Sequence, residues 1–266
     1  MNELEKTLRE GGKLIAFIVG GDPSPDKSYK IASGVIEAGA DVLEVGLPFS
    51  DPLADGPTIQ KASERALKAG MNTDKYFKLI KRVRDTYETP LVCLTYYNII
   101  LQYGLEKFAQ KAAYSGLDGI IVPDLPYEES EAFRKTLKKQ SVDFIFLVAE
   151  TTPPSRMKKI ASAASGFIYV VSLLGTTGAR KNVAANVKKT IARIRDETDL
   201  PLAVGFGISS PENVSEVMSF GADAAIVGSA IVKLAHEKGT VGLHDYVASL
   251  KKAAAGSRAI AKHLRV

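Results

Sequence analysis

Three carboxylates lie close together in the sequence, in two different settings. Glu44 stands inside the apolar run of residues 41–46, whereas Asp51 and Asp55 follow on a proline-rich segment, residues 48–57. Burial in an apolar strand raises the pKa of a carboxylate toward the range of a general acid or base. A salt bridge to a Lys or Arg on a neighbouring strand is the alternative explanation for Glu44, because ion pairs also place acids in protein cores. Glu44 and Asp55 are therefore candidates for acid–base chemistry.

The residues around these acids predict a strand, a stiff loop and a helix. The prolines that follow residues 42–46 fix φ and remove backbone donors, so the loop cannot continue a sheet. Pro57 suits the first position of a helix, and apolar residues recur at helical spacing through residues 58–69. Asp55 could instead serve as a turn or cap residue beside Gly56.

Eight short apolar runs alternate with helical patterns along the chain, after a leading helix over residues 2–10. The predicted strands are residues 14–19, 42–46, 91–95, 119–122, 144–148, 167–171, 202–204 and 224–227. The runs are continuously apolar rather than alternating. This indicates strands that are buried on both faces, as in a parallel sheet covered by helices.

A Gly-x-Asp turn recurs before three of these strands, at residues 39–41, 116–118 and 221–223. In each copy Gly ends a helix and Asp precedes the strand. Eight βα units with a recurring turn predict an α/β fold: a single-domain (β/α)8 TIM barrel over residues 1–266, with an extra N-terminal helix. An open doubly wound sheet is the alternative, but residues 20–23 lack its Gly-x-Gly-x-x-Gly turn.

Composition argues against several classes of function. The chain of 266 residues has 35 Lys and Arg against 30 Asp and Glu, a net charge of +5. The basic residues are spread over predicted helix faces without interleaved aromatic residues, so we expect no nucleic-acid partner, although the charge suits phosphorylated ligands. The single cysteine, Cys93, predicts core packing in a reducing cytoplasm. We expect neither a signal peptide nor a membrane span.

Glycines at three predicted strand ends indicate a phosphate site. The seventh strand runs into residues 205–209, and the eighth into Gly228-Ser229, directly before a helical pattern over residues 230–236. Loops at these places in a barrel often bind phosphate with backbone N–H groups at a helix N-terminus. The sixth strand opens into residues 172–180, a candidate lid. One such glycine could be turn geometry alone, but three at matching places predict a phosphorylated ligand.

Residues 43–46 (Leu-Glu-Val-Gly) and 49–56 (Phe-Ser-Asp-Pro-Leu-Ala-Asp-Gly) closely resemble the signature of the tryptophan synthase alpha chain family. The resemblance continues through residues 176–180, 205–209 and 228–233, and so spans nearly the whole chain. It implies a lyase that reversibly cleaves indole-3-glycerol phosphate to indole and glyceraldehyde 3-phosphate in tryptophan biosynthesis. It also implies a tryptophan synthase beta chain as partner in an α2β2 complex. We expect no cofactor on this chain.

The resemblance assigns roles to individual residues. Glu44 would shuttle the proton, Asp55 would stay ionised and accept the indole N–H, and Tyr169 would donate to the substrate hydroxyl. The remaining residues would hold the substrate: Gly178, Gly207, Gly228 and Ser229 the glycerol phosphate, Phe17, Leu94, Ile121 and Phe206 the indole ring, with Thr177 in the lid. Core packing remains the alternative for Leu94 and Ile121, and a backbone partner for the Tyr169 hydroxyl. We expect Asp124 to shape its own turn.

Other chemistries fit less well. A Schiff-base aldolase needs a lysine on an inward strand, and none of the predicted strands contains one. A metal-dependent aldolase or epimerase usually draws on histidines, but His236, His244 and His263 lie in the C-terminal helical region, so we predict no metal site. A stand-alone indole-releasing lyase and a mainly activating subunit for the beta chain remain open. Two features depart from the family pattern: Leu173-Leu174 in the lid, and Glu150 where a proline is common.

Overall fold

Eight parallel strands close into a barrel in the order β1 to β8, with β8 pairing back to β1. A computed structural model describes residues 3–172, 180–205 and 207–263, and side chains for 3–172, 185–205 and 207–256. The strands are β1 Lys13–Val19, β2 Val42–Gly46, β3 Leu91–Leu94, β4 Gly119–Ile121, β5 Asp143–Val148, β6 Ile168–Val171, β7 Leu202–Gly205 and β8 Ala224–Val227. The predicted (β/α)8 architecture is confirmed.

Helices surround the barrel, and most strands are followed by at least one of them. They are α1 Glu3–Arg9, α2 Pro25–Glu37, α3 Pro57–Lys68, α4 Thr73–Arg84, α5 Tyr97–Tyr103, α6 Leu105–Ser115, α7 Glu131–Lys139, α8 Pro154–Ala163, α9 Arg180–Arg195, α10 Pro211–Ser219, α11 Ser229–Lys238 and α12 Leu243–His263. Every residue of β2, β7 and β8 is buried. The continuous apolar runs therefore correspond to strands packed on both faces, as predicted.

The leading helix closes one end of the barrel. Leu4 and Leu8 of α1 are fully buried and belong to the same apolar cluster as the inward residues of the strands. A Cβ placed on Gly119, the first residue of β4, would lie 3.1 Å from Leu4 Cδ2. Helix α1 thus covers the amino-terminal end of the barrel and leaves the carboxyl ends of the strands for a site.

The prediction that no strand contains a lysine is wrong. Strand β1 begins at Lys13 rather than at Leu14, so a strand does contain a lysine. The Lys13 ammonium lies 2.6 Å from Glu10 and 3.3 Å from Asp41, at the amino-terminal end of the strand. Sequence could not place this boundary because a charged residue at a strand end interrupts the apolar pattern. Lys13 therefore lies at the amino-terminal end of the barrel, whereas the loops that follow the strands lie at the other end.

The recurring Gly-x-Asp turns are structural. Asp41, Asp118 and Asp223 each accept a hydrogen bond at 2.8 Å from a backbone N–H at the start of a neighbouring segment: Leu14, Leu91 and Leu202. Each also pairs with a basic side chain, namely Lys251, Arg84 and Arg195. The turns therefore link the first residues of the strands to the surrounding helices.

Cys93 is buried in the apolar core, as expected. Throughout the described ranges, no helix is both long enough and apolar enough to cross a membrane.

Candidate active site

A cavity of about 590 Å³ lies where the carboxyl ends of the strands meet the loops, within the usual size range of small-molecule sites. It brings together Glu44, Asp55 and Tyr169 with Gly207, Gly228, Ser229, Phe17 and Leu94, all of which were predicted as site residues. Side chains and backbone that were not predicted complete the lining: Ala54, Gly56, Ile59, Ile208, Ser209, Ile226 and Ala230.

Glu44 is the most deeply buried acid of this cavity. It lies in the middle of β2, in register with Phe17 and Val92, and is 1% exposed. No Lys or Arg among the described side chains forms an ion pair with it, and its Oε2 atom has no hydrogen-bond partner there. Burial, and secondarily the charge of Asp55, raises the pKa of Glu44 to about 8. The described residues therefore give no support to the salt-bridge alternative.

Asp55 lies on the loop between β2 and α3, half-buried and better solvated than Glu44, as predicted. Burial raises its pKa, and a hydrogen bond from the Tyr96 hydroxyl opposes that rise. Gly56, not Asp55, is the N-cap residue of α3, and no side chain caps that helix. The Asp55 carboxylate thus faces the cavity rather than a helix end.

Tyr169 of β6 is 5% exposed and packs against the neighbouring strand. A Cβ at Gly205 would collide with its hydroxyl group, so only a glycine at the end of β7 leaves room for the phenol. Burial raises the pKa of Tyr169 well above its ordinary value, and the charges of Glu44 and Asp55 act in the same direction. Tyr169 is therefore a neutral hydrogen-bonding group beside the two acids.

The loops after β7 and β8 carry Gly207, Gly228 and Ser229, the predicted phosphate residues that the structure describes. Gly207 has a positive φ of 78°, and Gly228 directly precedes α11, whose first residue is Ser229. A Cβ on Gly228 would lie 3.2 Å from Phe17 Cδ1, so the glycine permits close packing of that ring. The Tyr246 hydroxyl donates to the Ser209 carbonyl at 2.7 Å and so fixes the loop after Gly207. The N-terminus of α11 presents backbone N–H groups and a partial positive charge that suit an anion.

The predicted indole residues divide into three cases. Phe17 and Leu94 line the cavity. Ile121 is fully buried in the barrel interior and is absent from the cavity lining, so it fits the core-packing alternative and its contact with a ligand stays a prediction. Phe206 lies outside the described residues, as do Thr177, Gly178 and Leu173-Leu174 of the predicted lid.

Sequence reasoning missed Tyr96, although it follows a predicted strand directly, where barrel site residues are usual. Its hydroxyl accepts a hydrogen bond from the Ala54 N–H at 3.1 Å and contacts Asp55. Asp124 lies in the turn after β4, and its carboxylate accepts the Tyr97 N–H at 2.9 Å at the start of α5, so its role in shaping its own turn stays a prediction. It therefore joins the loops after β3 and β4.

The described side chains include no group of three or more His, Cys, Asp or Glu residues arranged to hold a metal ion. His236 and His244 are exposed on α11 and at the start of α12, as expected, and the His263 side chain lies outside the described set. Lys13 is absent from the cavity lining.

Comparison with known proteins supports a specific family. The family model for the tryptophan synthase alpha chain matches residues 4–261. The tryptophan synthase alpha chain of Methanosarcina barkeri is 50% identical over 239 residues, covering 89% of each chain. The solved alpha subunit from Legionella pneumophila superposes with a TM-score of 0.87 at 35% identity, covering 96% of this chain and 99% of that one.

A chain from the tryptophan synthase a2b2 complex of Pyrococcus furiosus gives a TM-score of 0.85 at 39% identity, covering 90% of this chain and 98% of that one. The match by sequence extends over almost the full length, and it includes the strands and loops that build the cavity. The chain belongs to the tryptophan synthase alpha chain family.

Proposed function

We propose that Glu44, Asp55 and Tyr169 carry out the cleavage of indole-3-glycerol phosphate that a tryptophan synthase alpha chain catalyses. The observation that carries this assignment is a buried carboxyl group in the same cavity as a second, better solvated carboxylate, with no basic partner among the described side chains. Two acids in such different environments can take different roles in one reaction.

The reaction breaks a carbon–carbon bond between the indole ring and the glycerol phosphate chain. Breaking it requires a proton on indole C3, stabilisation of the resulting indolenine cation, and removal of a proton from the adjacent glyceryl hydroxyl. Glu44 gives its proton to C3 and later recovers one from the hydroxyl, so the two transfers balance. A pKa near 8 lets one carboxyl group act in both directions near neutral pH.

Asp55 accepts the indole N–H and offsets the positive charge that develops on the ring, an electrostatic contribution that grows as the bond breaks. Tyr169, neutral and buried beside both acids, donates to the substrate hydroxyl. The backbone at Gly207, Gly228 and Ser229 holds the phosphate, and Phe17 and Leu94, which line the same cavity, contact the ring.

The chain acts as the alpha subunit of tryptophan synthase, with a beta chain as partner. The Pyrococcus furiosus relative was studied for mutual activation of its a2b2 complex. We assign the contact to the loop of residues 48–57, where Leu53 is 86% exposed, and to the lid after β6. Indole release measured without and with the beta chain separates this role from a stand-alone lyase and from a mainly activating subunit. We also propose a cytoplasmic location, which fractionation would test.

The substitution Glu44→Gln tests the central assignment. It keeps the size and apolar surroundings of the side chain but cannot transfer a proton. We expect turnover to fall at least about a hundredfold, a typical contribution of general acid–base catalysis, while binding of indolepropanol phosphate is kept. Calorimetry and single-turnover indole release give the two readouts.

The matched control is Glu64→Gln, which changes an exposed acid on α3, the helix that follows the Asp55 loop. It should leave turnover unchanged. Near-normal turnover in Glu44→Gln would remove Glu44 from the mechanism.

A further inference from the structure

The phenol of Tyr96 reaches from the end of β3 into the loop that carries Asp55. Tyr96 is 2% exposed, and its ring stacks on Phe49 of that loop with the ring centroids 5.3 Å apart. Its oxygen accepts a hydrogen bond from the Ala54 N–H at 3.1 Å, one residue before Asp55, and the hydroxyl is close enough to the Asp55 carboxylate to lower its pKa. One hydroxyl group therefore contacts both the backbone and the acid of this segment.

The loop itself offers the Asp55 side chain little support. Residues 47–56 contain no helix or strand, and the prolines in them remove backbone donors. Gln60 donates to the Asp55 backbone carbonyl at 2.8 Å, so this bond holds the backbone and not the carboxylate. Among the described side chains, Tyr96 is the one whose hydrogen bonding lowers the pKa of Asp55.

The position of Tyr96 is fixed from the other side. The N–H of Thr95 donates to the Ile121 carbonyl at 3.0 Å, and the N–H of Tyr97 donates to the Asp124 carboxylate at 2.9 Å. The backbone on both sides of Tyr96 is thus held by the strand and loop of β4. Its hydroxyl is therefore held in place before it contacts the Asp55 loop at the Ala54 N–H.

We propose that Tyr96 is a positioning residue of the lyase site, whose hydroxyl holds the Asp55 carboxylate in the orientation that accepts the indole N–H. The inference rests on the proposed role of Asp55 and extends it to a residue that contacts no reacting atom. A packing role for Tyr96 is the competing explanation. It depends on the ring alone, whereas positioning depends on the hydroxyl.

The substitution Tyr96→Phe keeps the ring and removes the hydroxyl. We expect kcat/KM for indole-3-glycerol phosphate to fall about tenfold, the size of a lost hydrogen bond to a charged group. The acid limb of the pH profile of kcat/KM should move to higher pH, because the hydroxyl lowers the pKa of Asp55. Binding of glycerol phosphate should not change, since Tyr96 is absent from the cavity lining that includes the phosphate residues.

Tyr103→Phe is the matched control. The Tyr103 hydroxyl donates to Asp74 at 2.6 Å, so it makes the same kind of bond on the outside of the barrel. It should change neither kcat/KM nor the pH profile. In an Asp55→Asn background, Tyr96→Phe should have little additional effect, because the charged partner is already gone.

The outcomes separate this inference from the proposed function. If Asp55→Asn loses activity but Tyr96→Phe leaves kcat/KM and the acid limb unchanged, the positioning role is overturned and the function of Asp55 stands. The role is also overturned if Tyr96→Phe lowers activity equally in both backgrounds, since the effect then does not act through Asp55. If Asp55→Asn itself retains full activity, the proposed function of that acid fails.

Discussion

At the amino-terminal end of the barrel, Asp118 accepts the Leu91 N–H and pairs with Arg84 at 2.6 Å, whereas Glu44 near the other end has no basic partner among the described side chains. Burial raises the pKa of both acids, but for Asp118 the Leu91 N–H and Arg84 oppose the rise. Asp41 and Asp223 repeat the arrangement of Asp118.

The difference shows how one fold separates stability from chemistry. An acid with a charged partner and a backbone donor links a strand to a helix. Its role is structural, and it does not transfer protons in a reaction. An unpaired buried acid costs stability, which is tolerated where its raised pKa serves catalysis. Substitutions at the carboxyl ends of the strands should therefore change turnover, and substitutions at the amino-terminal ends should change stability.

After Glu44→Gln, the largest effect is expected from Gly205→Ala, at the carboxyl end of β7. The added methyl group collides with the Tyr169 hydroxyl, so the phenol must move away from the two acids. A shift of about 1 Å in such a group can cost about a hundredfold, and we expect a loss of turnover of that order with glycerol phosphate binding retained. Steady-state indole release and calorimetry measure the two quantities.

Gly256→Ala is the control for this change, because a Cβ at Gly256 in α12 meets no atom within 4 Å. Its turnover should match that of the unmodified chain. Full turnover in Gly205→Ala would show that the position of Tyr169 does not matter to the reaction.

Asp118→Asn should have a smaller effect, on stability and not on turnover. The asparagine can still accept the Leu91 N–H, but Arg84 loses its charged partner in a partly buried setting. We expect the free energy of unfolding in urea to fall by about 1–2 kcal/mol, with turnover unchanged. Loss of turnover at full stability would mean that the amino-terminal end contributes to the chemistry.

Glu131→Gln provides the comparison for an ion pair in solvent. Glu131 pairs with Lys135 at 2.5 Å on the surface of α7, where both side chains are largely exposed. Surface pairs of this kind contribute little to stability, so we expect no measurable change in the urea midpoint.

The order of strands and helices could be predicted because its signals are local. Continuous apolar runs mark the strands, and the Gly-x-Asp turns mark where helices end. The start of β1 at Lys13 was missed because a charged side chain at a strand end breaks that local pattern.

The partners of the acids could not be predicted in this way. Lys251 reaches Asp41 from 210 positions away, and Tyr96 reaches Ala54 from 42 positions away. Such contacts depend on the closure of the barrel, which places distant segments side by side. The position of Ile121 along the barrel axis was equally hidden: its strand was predicted, but not that it would be absent from the cavity lining.

The most direct test of the account is the pH dependence of stability, compared between the unmodified chain and Glu44→Gln. Glu44 binds its proton more tightly in the folded chain, with a pKa of about 8, than in the unfolded chain, with an ordinary pKa of 4.5. Its contribution to stability is therefore fully present below about pH 4.5 and is lost as the pH rises toward 8.

Urea unfolding at a series of pH values measures this contribution as the difference between the two proteins. We predict that the unmodified chain loses stability relative to Glu44→Gln between about pH 5 and pH 8, by up to about 1.4 kcal/mol per pH unit. A difference that stays constant over this range would contradict the account, because Glu44 would then be an ordinary ionised carboxylate in the folded protein.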